Sequence, residues 1–138
     1  MDTKRFLLAA VAVFVFYSGL AFLIHEVILG PEYEPMVGSL LRSVEEFSQR
    51  MLFLYLGNLV FALAFCLIYA KGYEPGKGWI GQGLRYGLIV GTLLAPFAVT
   101  EYVVYPVAGT LALKWIVFGY LQILISALVA AGIYQPQS

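Results

Sequence analysis

The sequence predicts an all-α membrane protein with four transmembrane helices, and three observations predict it. The chain of 138 residues is 62% hydrophobic and 12% charged, with a mean hydropathy of +0.88. So little charge cannot cover the water-facing exterior of a soluble domain of this size. Four apolar runs reach the roughly 20 residues that a helix needs to cross about 30 Å of hydrocarbon. The alternating pattern of a barrel strand is missing from the sequence, and helices satisfy their own backbone groups in lipid.

The first run extends from Phe6 to Leu29. It follows Met-Asp-Thr-Lys-Arg, a basic start like that of a signal peptide. Its length exceeds a signal peptide's apolar region, so it is expected to be a retained helix. The second run is Met51 to Ala70, with Asn58 its strongly polar residue. The third is Leu84 to Tyr105, interrupted by Pro96 and Glu101. The fourth is Trp115 to Tyr134, with Gln122 and Ser126 inside it. A single domain over 1–138 is expected.

The connections add detail. Pro31-Glu32-Tyr33-Glu34-Pro35 reads as a rigid acidic turn. After it Val37, Leu40, Leu41, Val44 and Phe47 recur at helical spacing, with Arg42, Glu45, Glu46 and Arg50 between them. This amphipathic stretch is expected to extend the second helix outward, because neither Gly nor Pro separates Ser39 from Met51. Lys71 to Gln82, with four glycines and Pro75, reads as a short turn, and Pro106 to Thr110 as a tighter one.

Basic residues in short loops set orientation. Lys4, Arg5, Lys71, Lys77 and Arg85 fall on one side, and Arg42, Arg50 and Lys114 on the other. This places both termini in the cytoplasm, and a bacterial inner membrane is the expected location. Tyr69, Tyr105, Trp115 and Tyr134 near the run ends fit an interfacial aromatic belt.

Weak internal symmetry suggests two tandem two-helix hairpins, 6–70 and 84–134. Glu26 to Pro31 closes the first helix and Glu101 to Pro106 the third, each as Glu, four mostly apolar residues, then Pro. Phe22 matches Phe97 in that register, and Asn58 and Gln122 each fall seven residues after their helix starts. A two-helix unit returns to its starting side, so the copies would be related by an axis along the membrane normal.

The candidate site residues are few. Glu26 and Glu101 are carboxylates within spans, about 5–6 Å from the outer helix ends by helical rise. They read either as a cation or proton site, or as interfacial charges reaching water or Lys114. Asn58 and Gln122 lie deeper, about 10 Å below the outer ends. They either line an outward-facing polar funnel with the glutamates or bond to each other and hold two helices together. His25 stands beside Glu26, but helical neighbours point about 100° apart, so the two do not chelate unaided. It reads as a metal ligand or pH sensor with help from another helix, or as an interfacial histidine bonded to a loop.

Gly83, Gly87 and Gly91 form a run at four-residue spacing, and Gly19 lies seven residues before Glu26. Small residues at such spacing let helices approach closely in membranes. They are expected to turn both glutamates toward the bundle or a subunit interface. Pro96 is expected to kink the third helix.

Other chemistry is excluded by composition. The chain has one histidine and one cysteine, Cys66. No disulfide within the chain, cysteine metal cluster or bis-histidine haem can be built, and neither a cofactor nor a metal is expected. Gly72, Gly76 and Gly78 lack the strand and helix context of a phosphate loop. The formal net charge is zero, and no basic block suggests nucleic acid.

In overall size, first helix and Gly-rich third helix followed by a short Pro-Gly turn, the chain resembles small bacterial four-helix membrane proteins classed as domains of unknown function. That resemblance carries over no residue role. Small multidrug transporters also have four helices and an intramembrane glutamate. This chain departs from them, since its glutamates lie near the outer ends of helices one and three. The expected role is a non-catalytic membrane subunit, with the lipid bilayer and a second copy or membrane protein as partners. A small cation- or proton-coupled transporter or channel is the alternative.

Overall fold

A computed structural model describes residues 1–135. These residues are helical throughout apart from their connections. They form α1 (Thr3–Phe22), α2 (Gly30–Tyr33), α3 (Val44–Ser48), α4 (Met51–Lys71), α5 (Trp79–Val104) and α6 (Gly109–Ile133). α1 runs without a break into a π-helical turn, Leu23–Ile28. Four of these helices are long and apolar enough to cross a membrane: Thr3–Ile28, Met51–Lys71, Trp79–Val104 and Gly109–Ile133.

The spans differ from the apolar runs at their ends. α5 begins at Trp79 and α6 at Gly109, so Arg85 and Lys114 lie within helices and not in loops. Hydropathy marks where a helix enters hydrocarbon, whereas hydrogen bonding continues the helix beyond that depth. α1 starts at the Asp2 cap, whose carboxylate accepts from the Arg5 backbone N–H at 3.0 Å.

The expected extension of the second span is not a continuous helix. Ser43 caps the five-residue α3 in a capping box with Glu46, and the chain turns at Gln49 and Arg50 before α4 begins. Arg50 has φ −108° and ψ 4°, outside the helical well. The capping box favours a helix start at Ser43, and the Arg50 guanidinium donates to the Glu46 carbonyl at 2.8 Å, satisfying one carbonyl at the end of α3.

Packing is concentrated in one half of the bundle. Ala9, Ala10 and Val13 of α1 meet Ala62, Phe65, Cys66 and Tyr69 of α4 and Ile123, Ala127, Ala130 and Ala131 of α6. Alanines at these contacts let the backbones approach, which favours dispersion contacts in lipid. Tyr69 and Tyr134, expected in an aromatic belt, are instead 3% exposed within this core. Their rings meet edge to face at 6.2 Å, and Tyr73 and Tyr86 join them.

The glycine run lies along α6 of the same chain. A Cβ on Gly83 would stand 2.9 Å from the Ala131 Cβ, and one on Gly87 would stand 2.9 Å from Leu124 Cδ2. At Gly91 it would meet the Tyr120 ring at 3.0 Å. The run is therefore used inside the protomer. Gly19 has the opposite setting: it is exposed, with nothing within 4 Å of its Cβ position.

The other half is open. The buried residues of α4 all lie from Ala62 onward, and those of α5 all lie before Thr92. Leu52–Gly57 and Val99–Val104 are each six consecutive exposed residues, more than a full helical turn. Tyr55 meets Phe14 edge to face and Tyr102 lies over Gly109, but every residue of both segments stays exposed. The amino end, Gln135 and the α4–α5 turn lie at the packed end, where the Arg5 guanidinium donates to the Gln135 carbonyl.

Candidate functional site

Most sequence-predicted site residues gather at the open end, around Tyr33. The π turn carries His25 and Glu26. Such turns widen the helix by one residue and are frequent at functional sites. The chain then folds back through α2, anchored by Leu29, which is fully buried beside Ile24 and Leu111. This fold-back brings Tyr33 between His25 and α6. Trp115 Nε1–H donates to the Tyr33 hydroxyl at 2.7 Å, and that hydroxyl lies 2.8 Å from His25 Nδ1. The hydrogen bonding is complete when Tyr33 donates to Nδ1, which leaves His25 as the Nε2–H tautomer. The two rings stack at 5.9 Å with 15° between their planes.

Charge surrounds this chain of bonds. Burial raises the Tyr33 hydroxyl above the usual tyrosine range; the Trp115 bond opposes the shift, while the charges of Glu32, Glu101 and Glu26 add to it. All three carboxylates are therefore close enough for Tyr33 to feel them. Lys114 pairs with Glu32, and not with Glu26 or Glu101 as the sequence suggested. The fold-back carries Glu32 to the second turn of α6, where it reaches the ammonium first. Glu26 and Glu101 are themselves exposed, and neither makes an ion pair or side-chain hydrogen bond among the described residues. They do not point into the bundle: the glycine seam lies along the half of α5 before Thr92, and Gly19 packs on nothing in this protomer.

Asn58 and Gln122 do not meet each other. Asn58 Nδ2 donates to Ser18 Oγ at 3.1 Å, and Gln122 Nε2 donates to the Tyr17 carbonyl at 2.9 Å. Each ties its own helix to α1 at adjacent positions, and each such bond is worth about 1 kcal/mol in a membrane. Gln122 borders a cavity of about 130 Å³ between α1, α5 and α6. Among the described residues no three His, Cys, Asp or Glu side chains lie close enough to hold a metal ion.

Sequence reasoning missed three organising residues. Tyr33 is one, since a loop tyrosine between prolines carries no pattern. Gln82 is another: it is 5% exposed, accepts from the Glu74 N–H at 2.8 Å and donates to the Lys77 carbonyl at 2.9 Å. It thereby clamps the α4–α5 turn, over which Glu74 pairs with Lys77 and Arg85. Tyr120 is the third. Its ring lies on Gly91, and its hydroxyl accepts from Thr92 and donates to the Leu88 carbonyl, both at 2.8 Å.

Comparison with family models, curated proteins and solved structures gives no match.

Proposed function

We propose that the chain is a non-catalytic integral membrane subunit whose open half is completed by another membrane helix, from a second copy or a partner protein. The observation that carries this reading is that Leu52–Gly57 and Val99–Val104 are exposed at every residue. Glu101 sits in the second of these segments. A carboxylate facing hydrocarbon is costly, and a neighbouring helix that supplies a donor removes the cost. The glycine run no longer supports assembly, because α6 of the same protomer occupies it.

The test is crosslinking in native membranes from single cysteines at Phe53 and Val103, in a Cys66→Ser background. The reading expects a discrete crosslinked species from both positions. Monomer alone, with both positions labelled evenly by a lipid-soluble probe, defeats it.

A second reading has its own support. The charges of Glu26 and Glu101 both act on Tyr33, and Glu26 lies in the π turn beside His25. Under this reading the open end takes a cation or proton and the bundle transports it. Glu101→Gln in proteoliposomes then abolishes coupled flux with the fold intact, and unchanged flux excludes the reading.

The finer topology belongs to the same proposal. Both termini face the cytoplasm of a bacterial inner membrane, as the basic residues suggest. The pairs α1–α4 and α5–α6 are two copies of one hairpin, each with a glutamate near the outer end of its first span. Labelling of single cysteines with an impermeant reagent tests the sidedness.

A further inference from the structure

We infer that the cavity between α1, α5 and α6 binds a lipid-phase molecule whose ring-sized head group carries a hydroxyl. Beyond Gly91, Ala95 on α5 and Gly119 on α6, which has nothing within 4 Å of its Cβ position, leave space that Tyr17, Trp115, Tyr120 and Gln122 border. The space is about 130 Å³. An apolar cavity of roughly 150 Å³ admits benzene, so this volume suits one six-membered ring. From Trp115 to Gln122 is about 10 Å along the helix, which places the cavity at hydrocarbon depth.

The polar chemistry of the wall is specific. Trp115 Nε1–H is used by Tyr33, and the Tyr120 hydroxyl both donates and accepts within the protomer. Gln122 is 6% exposed, and its Nε2 donates to a carbonyl. Only the nitrogen end of an amide can make that bond, so the oxygen is turned away from Tyr17. Neither that oxygen nor the Tyr17 hydroxyl makes a hydrogen bond among the described residues, and neither is sealed off, since the fully buried polar atom without a partner is the Tyr69 hydroxyl.

An unused acceptor in hydrocarbon calls for a donor. A water held by Gln122 and Tyr17 takes roughly 30 Å³ and leaves most of the space empty. The rest faces Leu94, Ile116 and Ile123, which offer further waters no polar partner. A phenol- or quinol-type ring fills the volume, places its face against aromatic walls and donates its hydroxyl to Gln122.

The experiment uses the full chain with Trp79→Phe, in phosphatidylcholine vesicles, so that Trp115 is the sole tryptophan. 4-Bromophenol and bromobenzene are added as quenchers of matched size. The inference expects saturable quenching by 4-bromophenol, with bromobenzene weaker by on the order of fivefold, the loss of one net hydrogen bond. Gln122→Leu removes the difference between the probes, and Gly119→Val removes saturation for both. Unsaturable quenching by both probes overturns the inference, since only water or nothing occupies the space. Equal saturable binding also overturns it, because an acyl chain then serves as well and Gln122 plays no part. The probe comparison needs no variant at the cavity, so a misfolded Gln122→Leu leaves it decisive.

Discussion

The Tyr86 hydroxyl on α5 donates to the Phe65 backbone carbonyl on α4 at 2.6 Å. These helices otherwise meet through rings, Tyr86 against Phe65 at 4.7 Å and against Tyr69 at 5.4 Å. The bond joins the first hairpin to the second at the packed end. Tyr86→Phe keeps the ring and deletes the tie. The expected loss is about 1 kcal/mol, the usual value of an interhelical hydrogen bond in a membrane. Reversible unfolding in mixed micelles measures it, and an unchanged midpoint would show that the carbonyl's helical partner already suffices.

The glycine seam makes a sharper contrast. At Gly87 a bare Cβ already meets Leu124 Cδ2 at 2.9 Å and the Ala127 Cβ at 3.0 Å. Gly87→Leu must separate α5 from α6, and overpacking of this kind costs at least 1–3 kcal/mol. Gly19→Leu meets nothing and is expected to be neutral within about 0.5 kcal/mol. Because the seam is internal, the Gly87 variant loses thermal stability as a monomer. A variant of full monomer stability with altered oligomer size would instead place the seam between copies.

The α4–α5 turn is expected to respond to acid. Hydrogen bonding from Lys77, then from Arg85, holds the Glu74 carboxyl below the usual carboxylate range. A lowered folded-state pKa means that the stabilisation is present above the unfolded-state value, near 4.5, and is lost as pH falls through the lower folded value. The pair is solvent-exposed, so the response is local. Relative to an unstructured cysteine peptide at the same pH, a cysteine at Pro75 should gain reactivity as the pH falls through the folded value, and Glu74→Gln should show the higher relative reactivity throughout. A relative reactivity that does not change with pH and equals that of Glu74→Gln would deny the carboxylate any hold on the turn.

These features were unequally legible in the sequence. The four spans were legible because hydrocarbon demands length and apolarity, and both are local properties. Asn58 and Gln122 stood out for the same reason, but their partners did not. The sequence gives no phase between α1 and its neighbours that would single out Ser18 and the Tyr17 carbonyl. Gly83, Gly87 and Gly91 announced a close contact, yet spacing does not say whether the second helix belongs to the same chain. The turn at Gln49 and Arg50 carried no Gly or Pro, so periodicity ran through it. Lys114 found Glu32 across 82 positions because Pro31 and the buried Leu29 fold the acidic turn back. That reversal follows from tertiary packing that no short window contains.

The Trp115–Tyr33–His25 chain gives the most informative variant at the open end. Tyr33→Phe keeps the ring against His25 but leaves Trp115 Nε1–H and His25 Nδ1 without their shared partner. Two groups lose one bond each, and a half-buried donor left unmatched costs about 1–3 kcal/mol. The indole then turns toward water or lipid, which shifts its emission in a Trp79→Phe background. His25→Ala removes one acceptor and leaves the Trp115–Tyr33 bond intact, so its emission should stay near that of the parent. The order of effect is therefore Tyr33→Phe well above His25→Ala. The reverse order would mean that His25, and not the fold-back of α2, holds Tyr33 against α6.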